Sequence, residues 1–411
     1  LGRNRSHEKE IELMVHCNLD QADAETELLL RLRATPEIFT MISECSAAEL
    51  SGQRKLREHF DQELVRAALS LHEARTKAMG SLPNAEQLWL TRVGLEQSTA
   101  WEVARHKAQR FAAAEQVFDL CCGVGVDAGN IAAHTNVIAI DNEPSMCLRT
   151  TWNADVWGHG SRMESRCQDV SGDLWADKIV HVDPDRRAGS DRPTKRLELY
   201  QPNLEWMQKL TRTATGGGIK IGPASNFLQK FPGCEIELIS LHGECREATV
   251  WFGSMAGPHT FRATVLPAGE SLSEDPLSAW TNTTPTSCAY LFDPDPAIVR
   301  SGLLDVMAER NNLLRLDAEE EYLTADQIPT TAFVTAFKIE AVLSNSVKEL
   351  KHYLRQSPSQ HYEVKCRRIS IEADVVRRQL PTGAEPPRVI IFAKVAGRGA
   401  IVVAHRITGA S

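Results

Sequence analysis

The chain has 411 residues, 24% of them charged and 42% hydrophobic, with a formal net charge of -8 at pH 7. That length exceeds one ordinary core and requires two or three domains, in a balance that excludes a disordered or fibrous chain. No apolar run is long enough to span a bilayer, and the polar stretch Leu1–Glu10 has no apolar signal core, so a cytoplasmic protein is expected. The opening Leu1 in place of Met suggests a non-standard initiator or a trimmed end. Ten cysteines include no Cys-x-x-Cys pair, and Cys121 and Cys122 are adjacent. Free thiols and no metal site are expected. Cys147, Cys167, Cys234 and Cys245 sit in or beside apolar runs, as small core residues do.

Asp20 to about Met79 is rich in Ala, Leu, Glu and Arg. Leu28, Leu29 and Leu32, then Leu64, Ala67, Ala68 and Leu71, recur at helical spacing. Gly80-Ser-Leu-Pro83 breaks this helical segment. Thr99 and Glu102 have capping-box spacing and predict a helix start. Strand-like runs follow at Val117–Leu120, Val137–Ile140, Met163–Cys167, Ile179–Val182 and Gly218–Ile221, with helical stretches between them. Such alternation predicts a parallel sheet with right-handed crossovers. Glu235–Ser240 and Ala248–Phe252 are expected as an antiparallel hairpin at its edge. Pro, Ser, Thr and Asn fill residues 270 to 287 and mark a boundary near Ala268. Beyond it the reading gives Tyr290–Arg300, a helix through Leu314, a helix over Val342–Leu354 and a short helix over Asp374–Leu380. Strands are expected at Tyr362–Arg368, Val389–Val395 and Ala400–Arg406, with Gly397-Arg-Gly399 turning the last hairpin. Three domains are expected: helical 1–82, α/β 83–268 and a small α+β module 269–411.

Chemistry concentrates in the α/β segment. Val117 to Asp141 reads V-F-D-L-C-C-G-V-G-V-D-A-G-N-I-A-A-H-T-N-V-I-A-I-D. This is one β-α-β unit with an acid at each strand tip, Asp119 and Asp141. Gly123 and Gly125 let backbone approach a ligand closely, and a helix beginning near Asp127 aims free N–H groups at it. Asp141 is placed to accept from both hydroxyls of a ribose. Gly123-x-Gly125-x-x-Ala128 also satisfies the loose dinucleotide fingerprint. Asp119 separates the two ligands: its charge would oppose a pyrophosphate but suits an amino group and a sulfonium. Asp119-x-x-x-Gly123-x-Gly125 resembles motif I of class I S-adenosylmethionine methyltransferases. On that reading Asp119, Cys121, Gly123 and Gly125 hold the methionine end, Asp141 the ribose and Asp169 the adenine amino group.

A second site is Ile179-Val-His-Val-Asp183-Pro184-Asp185-Arg186-Arg187, which puts an acid and a proline at the fourth strand tip. Ligands of doubly wound sheets lie over such tips. Asp183 is expected to orient the nucleophile, with Pro184 biasing it toward an extended backbone. Base-amino methyltransferases show Asp/Asn-Pro-Pro and an aromatic residue there. Here Asp185 and Arg186 stand instead, and an Arg plane can stack on a base or clamp a phosphate. Arg186, Arg187 and Lys220 are the expected substrate contacts, with Lys220 pairing with Asp183 or meeting a phosphate. The competing readings make the arginines ion pairs that shape the loop and Lys220 a surface lysine. His134 and His181 are expected to be satisfied within the core.

The chain resembles a family of bacterial class I methyltransferases with a THUMP-like C-terminal domain. The resemblance rests on Leu90-Thr-Arg92, Leu95-Glu-Gln-Ser-Thr99, Asp119-Leu-Cys-Cys-Gly-Val-Gly125, Asp183-Pro-Asp-Arg-Arg187 and Tyr290-Leu-Phe-Asp-Pro-Asp-Pro-Ala297. The family's usual tip reads Asp-Pro-Ala-Arg-Arg, so Asp185 departs from it. Leu88 to Asn153 is also similar to the trimethylguanosine synthases, whose Pro-Pro-Trp tip this chain lacks. The resemblance implies a Rossmann-like class I methyltransferase sheet and S-adenosylmethionine as cofactor, and it does not fix the substrate; the expected substrate is RNA, tRNA or rRNA, methylated at a base nitrogen. From Lys351 onward eleven Lys/Arg face four Asp/Glu, a basic end of the kind that meets nucleic acid. Arg367, Arg368, Arg377, Arg378 and Arg398 are its expected contacts. The alternatives are a methyltransferase acting on a protein or small molecule, and a cofactor-binding RNA adaptor without turnover.

Overall fold

A computed structural model describes residues 24–44, 50–172, 174–187 and 192–407. The expectations for Leu1–Glu10 and the first residues of the helical segment lie outside them. The chain divides into one unit of Leu1–Cys234 with Thr249–Ala256 and another of Glu235–Ala248 with Gly257–Ser411.

Among the described residues the first unit opens with four helices: α1 (Ala24–Arg33), α2 (Glu37–Glu44), α3 (Leu50–His59) and α4 (Gln62–Ala78). Leu64, Ala68 and Leu71 form the buried stripe of α4 and pack with Leu32, Ile38, Ile42 and Leu56. Asp61 caps α4, accepting from the backbone of Glu63 and Leu64 at 3.1 and 3.0 Å. Helices α5 (Arg92–Gln97) and α6 (Trp101–Ala108) lead into the sheet. The helix expected to start at Thr99 and Glu102 is present as α6, with Ala100 at its N-cap and the Thr99 hydroxyl donating to Asp127 at 2.5 Å.

The sheet of this unit is built from β1 (Gln116–Leu120), β2 (Asn136–Asp141), β3 (Met163–Cys167), β4 (Ile179–Val182) and β5 (Gly216–Ile221). Helices α7 (Val126–Ala132), α8 (Pro144–Val156) and α9 (Leu204–Thr213) lie between them in the chain. The strand order is β3-β2-β1-β4-β5, and each adjacent pair runs parallel. The order reverses between β1 and β4, so the crevice above their C-terminal ends is the topological switch point. Residues of β5 are buried throughout.

The chain passes between the units along β6 (Glu235–Leu241) and β7 (Glu244–Gly253). His242 and Gly243 turn it, with φ 52 and 78. In the second unit β6 pairs parallel with β8 (Phe261–Leu266), which pairs antiparallel with β9 (Glu270–Glu274). A seven-stranded sheet follows, made from β10 (Tyr290–Pro294), β11 (Leu314–Arg315), β12 (Leu323–Ala325), β13 (Val334–Ser344), β14 (Tyr362–Cys366), β15 (Arg388–Val395) and β16 (Arg398–Arg406). Its order is β11-β12-β10-β13-β16-β15-β14. Its helices are α10 (Pro296–Ser301), α11 (Leu304–Arg310), α12 (Val347–Leu354) and α13 (Ala373–Arg378).

Three expectations are corrected here. Val342–Ser344 belongs to β13 rather than to a helix, because it pairs with Ala400–Val402 of β16. Helix α11 ends at Arg310, and Leu314 enters a strand beside Thr324. The final hairpin turns one residue earlier than expected, at Ala396-Gly397, with φ 45 and 82.

Candidate active site

The turn after β1 carries the cofactor-type geometry. Gly123 and Gly125 have φ 55 and 80, the left-handed region that favours glycine. A Cβ on Gly125 would come 2.8 Å from the Thr150 methyl, whose hydroxyl donates to the Gly123 carbonyl at 2.8 Å. Around Gly123 a Cβ would meet nothing within 4 Å, so this backbone faces open space. Cys121 also has positive φ, 61. Burial pushes the Cys121 thiol well up, reinforced by Asp141 and Asp183, so it stands in the site as a neutral group.

Asp141 closes one side of this turn. Its carboxylate accepts from Gly123 N at 2.9 Å and from Glu143 N at 3.1 Å. Burial raises its pKa, against the pull of these backbone donors. A carboxylate has about four acceptor positions, so acceptor capacity remains for a ligand hydroxyl. Asp169 lies just past β3. The adjoining Gln168 N donates to the Asp141 carbonyl at 2.9 Å. The Asp169 carboxylate is exposed, and its Oδ1 accepts from Ser171 N at 2.6 Å.

Asp119 is placed differently from what the motif suggests. It is 1% exposed, and its Oδ1 lies 2.6 Å from His181 Nδ1 on β4, the residue that faces it in register. Lys107 Nζ lies 3.4 Å from His181 Nε2 and 2.9 Å from Asp127 Oδ1. Asp119, His181, Lys107, Asp127 and Thr99 thus form one polar network under the glycine turn. Burial drives the Asp119 carboxyl upward and His181 only partly counters it. Burial opposes the His181 cation, but Asp127 and Asp119 outweigh it and raise its pKa. The pair therefore holds a proton between its members. Asp127 is held well below the ordinary range because Lys107, His181 and Lys220 overcome its burial. The methionine-end contact expected of Asp119 would have to come from its second oxygen.

At the tip of β4, Asp183 N donates to the Leu120 carbonyl at 3.1 Å, which sets Asp183 beside the cofactor turn. Its Oδ2 accepts from Lys220 Nζ at 2.7 Å. Lys220 is 5% exposed and also donates to the Gln97 carbonyl at 3.1 Å. It is a buried partner of Asp183, not a surface lysine. Asp183 keeps Oδ1 for a ligand, and its side chain is 26% exposed. Pro184 is buried behind it. Asp185 is occupied: its Oδ1 accepts from Gln97 Nε2 at 3.2 Å and from Arg187 N at 2.8 Å. Arg187 reaches Glu96 at 3.5 Å. Arg186 is half-buried with no carboxylate partner among the described residues, and a Cβ on Gly222 would come within 3.1 Å of its Nη1.

Helix α5 spans both halves of the site. Gly94 lies against Val124 of the cofactor turn, where a Cβ would come 2.6 Å from Val124 Cγ1. Gln97 and Glu96, at its other end, meet the β4 tip. Glu96, Gln97, Lys107 and Asp127 are the site residues that motif reading missed. Leu95-Glu-Gln-Ser-Thr99 carried a signal for the first two, but spacing alone gave no reason to place them at a strand tip lying 86 or more residues on.

The basic end is largely neutralised within its own unit. Arg367 bonds to Asp293 and Glu321, Arg368 to Glu321 and Arg377 to Asp374. Arg388 bonds to Glu340, Lys365 to Asp293, Lys394 to Asp317 and Glu319, and Arg406 to Glu363. Seven of the eleven cations after residue 350 thus have a carboxylate within 4 Å. Among the described residues, no helix is long and apolar enough to cross a membrane, and no group of His, Cys, Asp and Glu is arranged to hold a metal ion.

Residues 334–406 match the THUMP domain-like family. Two Mycobacterium tuberculosis proteins, from strains CDC 1551 / Oshkosh and H37Rv, are each 28% identical to the chain over 353 residues. The match covers 82% of this chain and 94% of theirs, and each is named an uncharacterized S-adenosylmethionine-dependent methyltransferase. Among solved structures, a candidate methyltransferase from Porphyromonas gingivalis W83 superposes with a TM-score of 0.71 at 18% identity. It covers 85% of this chain and 92% of its own, so the two share a fold.

Proposed function

We propose that this chain, which has a methyltransferase fold and a THUMP-like C-terminal segment, is an S-adenosylmethionine-dependent methyltransferase acting on a base nitrogen of RNA. The observation that carries it is the meeting, at the switch point, of a glycine turn, the Asp141 carboxylate bonded to it and the Asp183 carboxylate with one free oxygen. The residues fit the cofactor: open backbone at Gly123, spare acceptor capacity on Asp141 and the neutral Cys121 belong to one turn and the carboxylate bonded to it. Asp141 would hold the ribose, the Cys121–Gly125 turn the methionine end and Asp169 the adenine edge. When bound, the cofactor supplies a methyl group on a positively charged sulfur.

The chain's own part is orientation. Lys220 donates to Asp183 Oδ2 and to the Gln97 carbonyl, so its part is to hold that carboxylate in place. Asp183 Oδ1 is left to accept an N–H of the substrate and so to aim the nitrogen lone pair at the methyl carbon. The same carboxylate eases the loss of that proton. Arg186 offers a guanidinium plane for a base or a phosphate. The THUMP-like segment and this free cation beside Asp183 support RNA over a protein or small molecule.

The test incubates wild-type protein and Asp183→Ala with labelled methyl donor and RNA from cells lacking the gene, followed by nucleoside mass spectrometry. A methylated nucleoside formed by wild type, with turnover in the variant lost far beyond any change in donor Kd, is the expected result. Label in protein or small molecules instead would move the substrate class. Donor binding without transfer to any fraction would leave a non-catalytic adaptor.

A further inference from the structure

The β4–α9 connection is the most basic stretch of the first unit. Between Arg186 and Arg196 five of eleven residues are Lys or Arg: Arg186, Arg187, Arg192, Lys195 and Arg196. Backbone bonds tie its far end to the catalytic end of the sheet. Thr194 N donates to the Arg186 carbonyl at 2.9 Å, and Asn226 N, just past β5, donates to the Lys195 carbonyl at 3.0 Å. Asn226 Oδ1 also accepts from Leu197 N at 3.0 Å. Lys195 and Arg196 are exposed, and neither has a carboxylate partner among the described residues. The backbone at Thr194 and Lys195 is thus held in place, while the side chains of Lys195 and Arg196 are left without a carboxylate partner among the described residues. In the second unit the opposite holds, since most of the late arginines and lysines are already paired with carboxylates.

The loops that carry these cations also carry exposed apolar side chains. Leu199 follows Arg196 and is 55% exposed; Leu228 follows Asn226 and is 65% exposed. Cations beside apolar surface suit a strand whose phosphates and base faces are both accessible, as in single-stranded nucleic acid. A duplex buries its base faces and would leave the leucines uncovered.

We infer that the RNA strand is gripped by the catalytic unit itself, its phosphates on Arg186, Lys195 and Arg196 next to Asp183, and not by the arginines of the THUMP-like segment. This rests on the RNA reading above and adds where and in what form the RNA is held. Arginines in ion pairs must give up a carboxylate to take a phosphate, whereas Lys195 and Arg196 exchange only water and counterions.

The experiment measures binding of a short, fluorescently labelled single-stranded RNA of mixed sequence over a range of salt. It compares the full chain with Lys195→Gln/Arg196→Gln and with Arg377→Gln/Arg378→Gln, and repeats the titration with a duplex of the same sequence. Each phosphate contact on a single strand contributes about 0.7 to the slope of log affinity against log salt, so the first variant should lose about 1.4 from it. The second variant should bind as wild type does, and the duplex more weakly than the single strand. Donor Kd by calorimetry should match wild type in both variants, which shows that they are folded. Loss confined to the Arg377/Arg378 variant, or preference for the duplex, overturns this assignment while leaving an RNA enzyme in place. A wild-type chain that binds the methyl donor but no RNA at low salt removes the RNA reading itself, and this inference with it.

Discussion

Replacing Lys220 with Met tests whether the buried ammonium does more than fill space. Met keeps the unbranched shape but removes the donor to Asp183 Oδ2 at 2.7 Å and to the Gln97 carbonyl at 3.1 Å. A hydrogen bond to a charged group contributes about 1.5–3 kcal/mol. The lower end applies, because Asp183 is 26% exposed and water can solvate the carboxylate left behind. Folding should therefore survive with a modest fall in Tm. Turnover should suffer more. Asp183 would be free to rotate, and a misplacement of about 1 Å at a reacting group costs about 10²-fold. The donor site proposed above lies at the ends of β1 and β2, so donor Kd should stay within about twofold of wild type, less than about 0.5 kcal/mol. Single-turnover methyl transfer, donor calorimetry and a thermal melt on the same preparation read all three. Wild-type turnover in Lys220→Met, or donor affinity falling in step with turnover, would refute this role and leave Lys220 structural.

Two further outcomes follow from the same geometry. Asp141→Ala should weaken donor binding by roughly ten- to hundredfold, the equivalent of a charge-assisted bond of about 1.5–3 kcal/mol; calorimetry showing unchanged affinity removes Asp141 from the site, and tighter binding of NAD than of the methyl donor overturns the cofactor. The Asp119–His181 pair sets a pH dependence of stability. The folded pKa of His181 is raised above its ordinary 6.5, so its contribution is complete below that pH and is lost as pH rises through the folded value. Asp119 is also raised and acts in the same direction, since the native state keeps its proton to higher pH than the unfolded chain does. Tm should thus decline as pH is raised above 6.5, and Asp119→Asn should flatten that decline; equal slopes in both proteins would show that the pair does not titrate there.

Local order was legible where one segment supplies its own reasons. Apolar runs ending in acids marked β1, β2 and β4, and Gly123 and Gly125 marked a turn needing positive φ, because strand period and left-handed backbone are properties of a few adjacent residues. The placing of Asp141 beside the turn followed from the same unit. What each acid does with its charge was decided by tertiary structure. Asp119 and Asp183 read alike as strand-tip carboxylates. Strand register then sets Asp119 against His181 and out of reach of solvent, while Asp183 meets Lys220 from 37 residues away and keeps one oxygen open. Val342–Ser344 reads as helix by itself and is strand only because β16 lies beside it. The basic count after Lys351 is likewise a sum over chain positions. A sum takes no account of which carboxylate comes within 3 Å of which guanidinium, and Asp293, Glu321 and Glu340 reach Arg367, Arg368 and Arg388 only once the sheet has formed. Sequence alone therefore specified the scaffold and the ligand turn. The folded chain assigned the charges, because electrostatic partners are chosen by distance in space and not by spacing along the backbone.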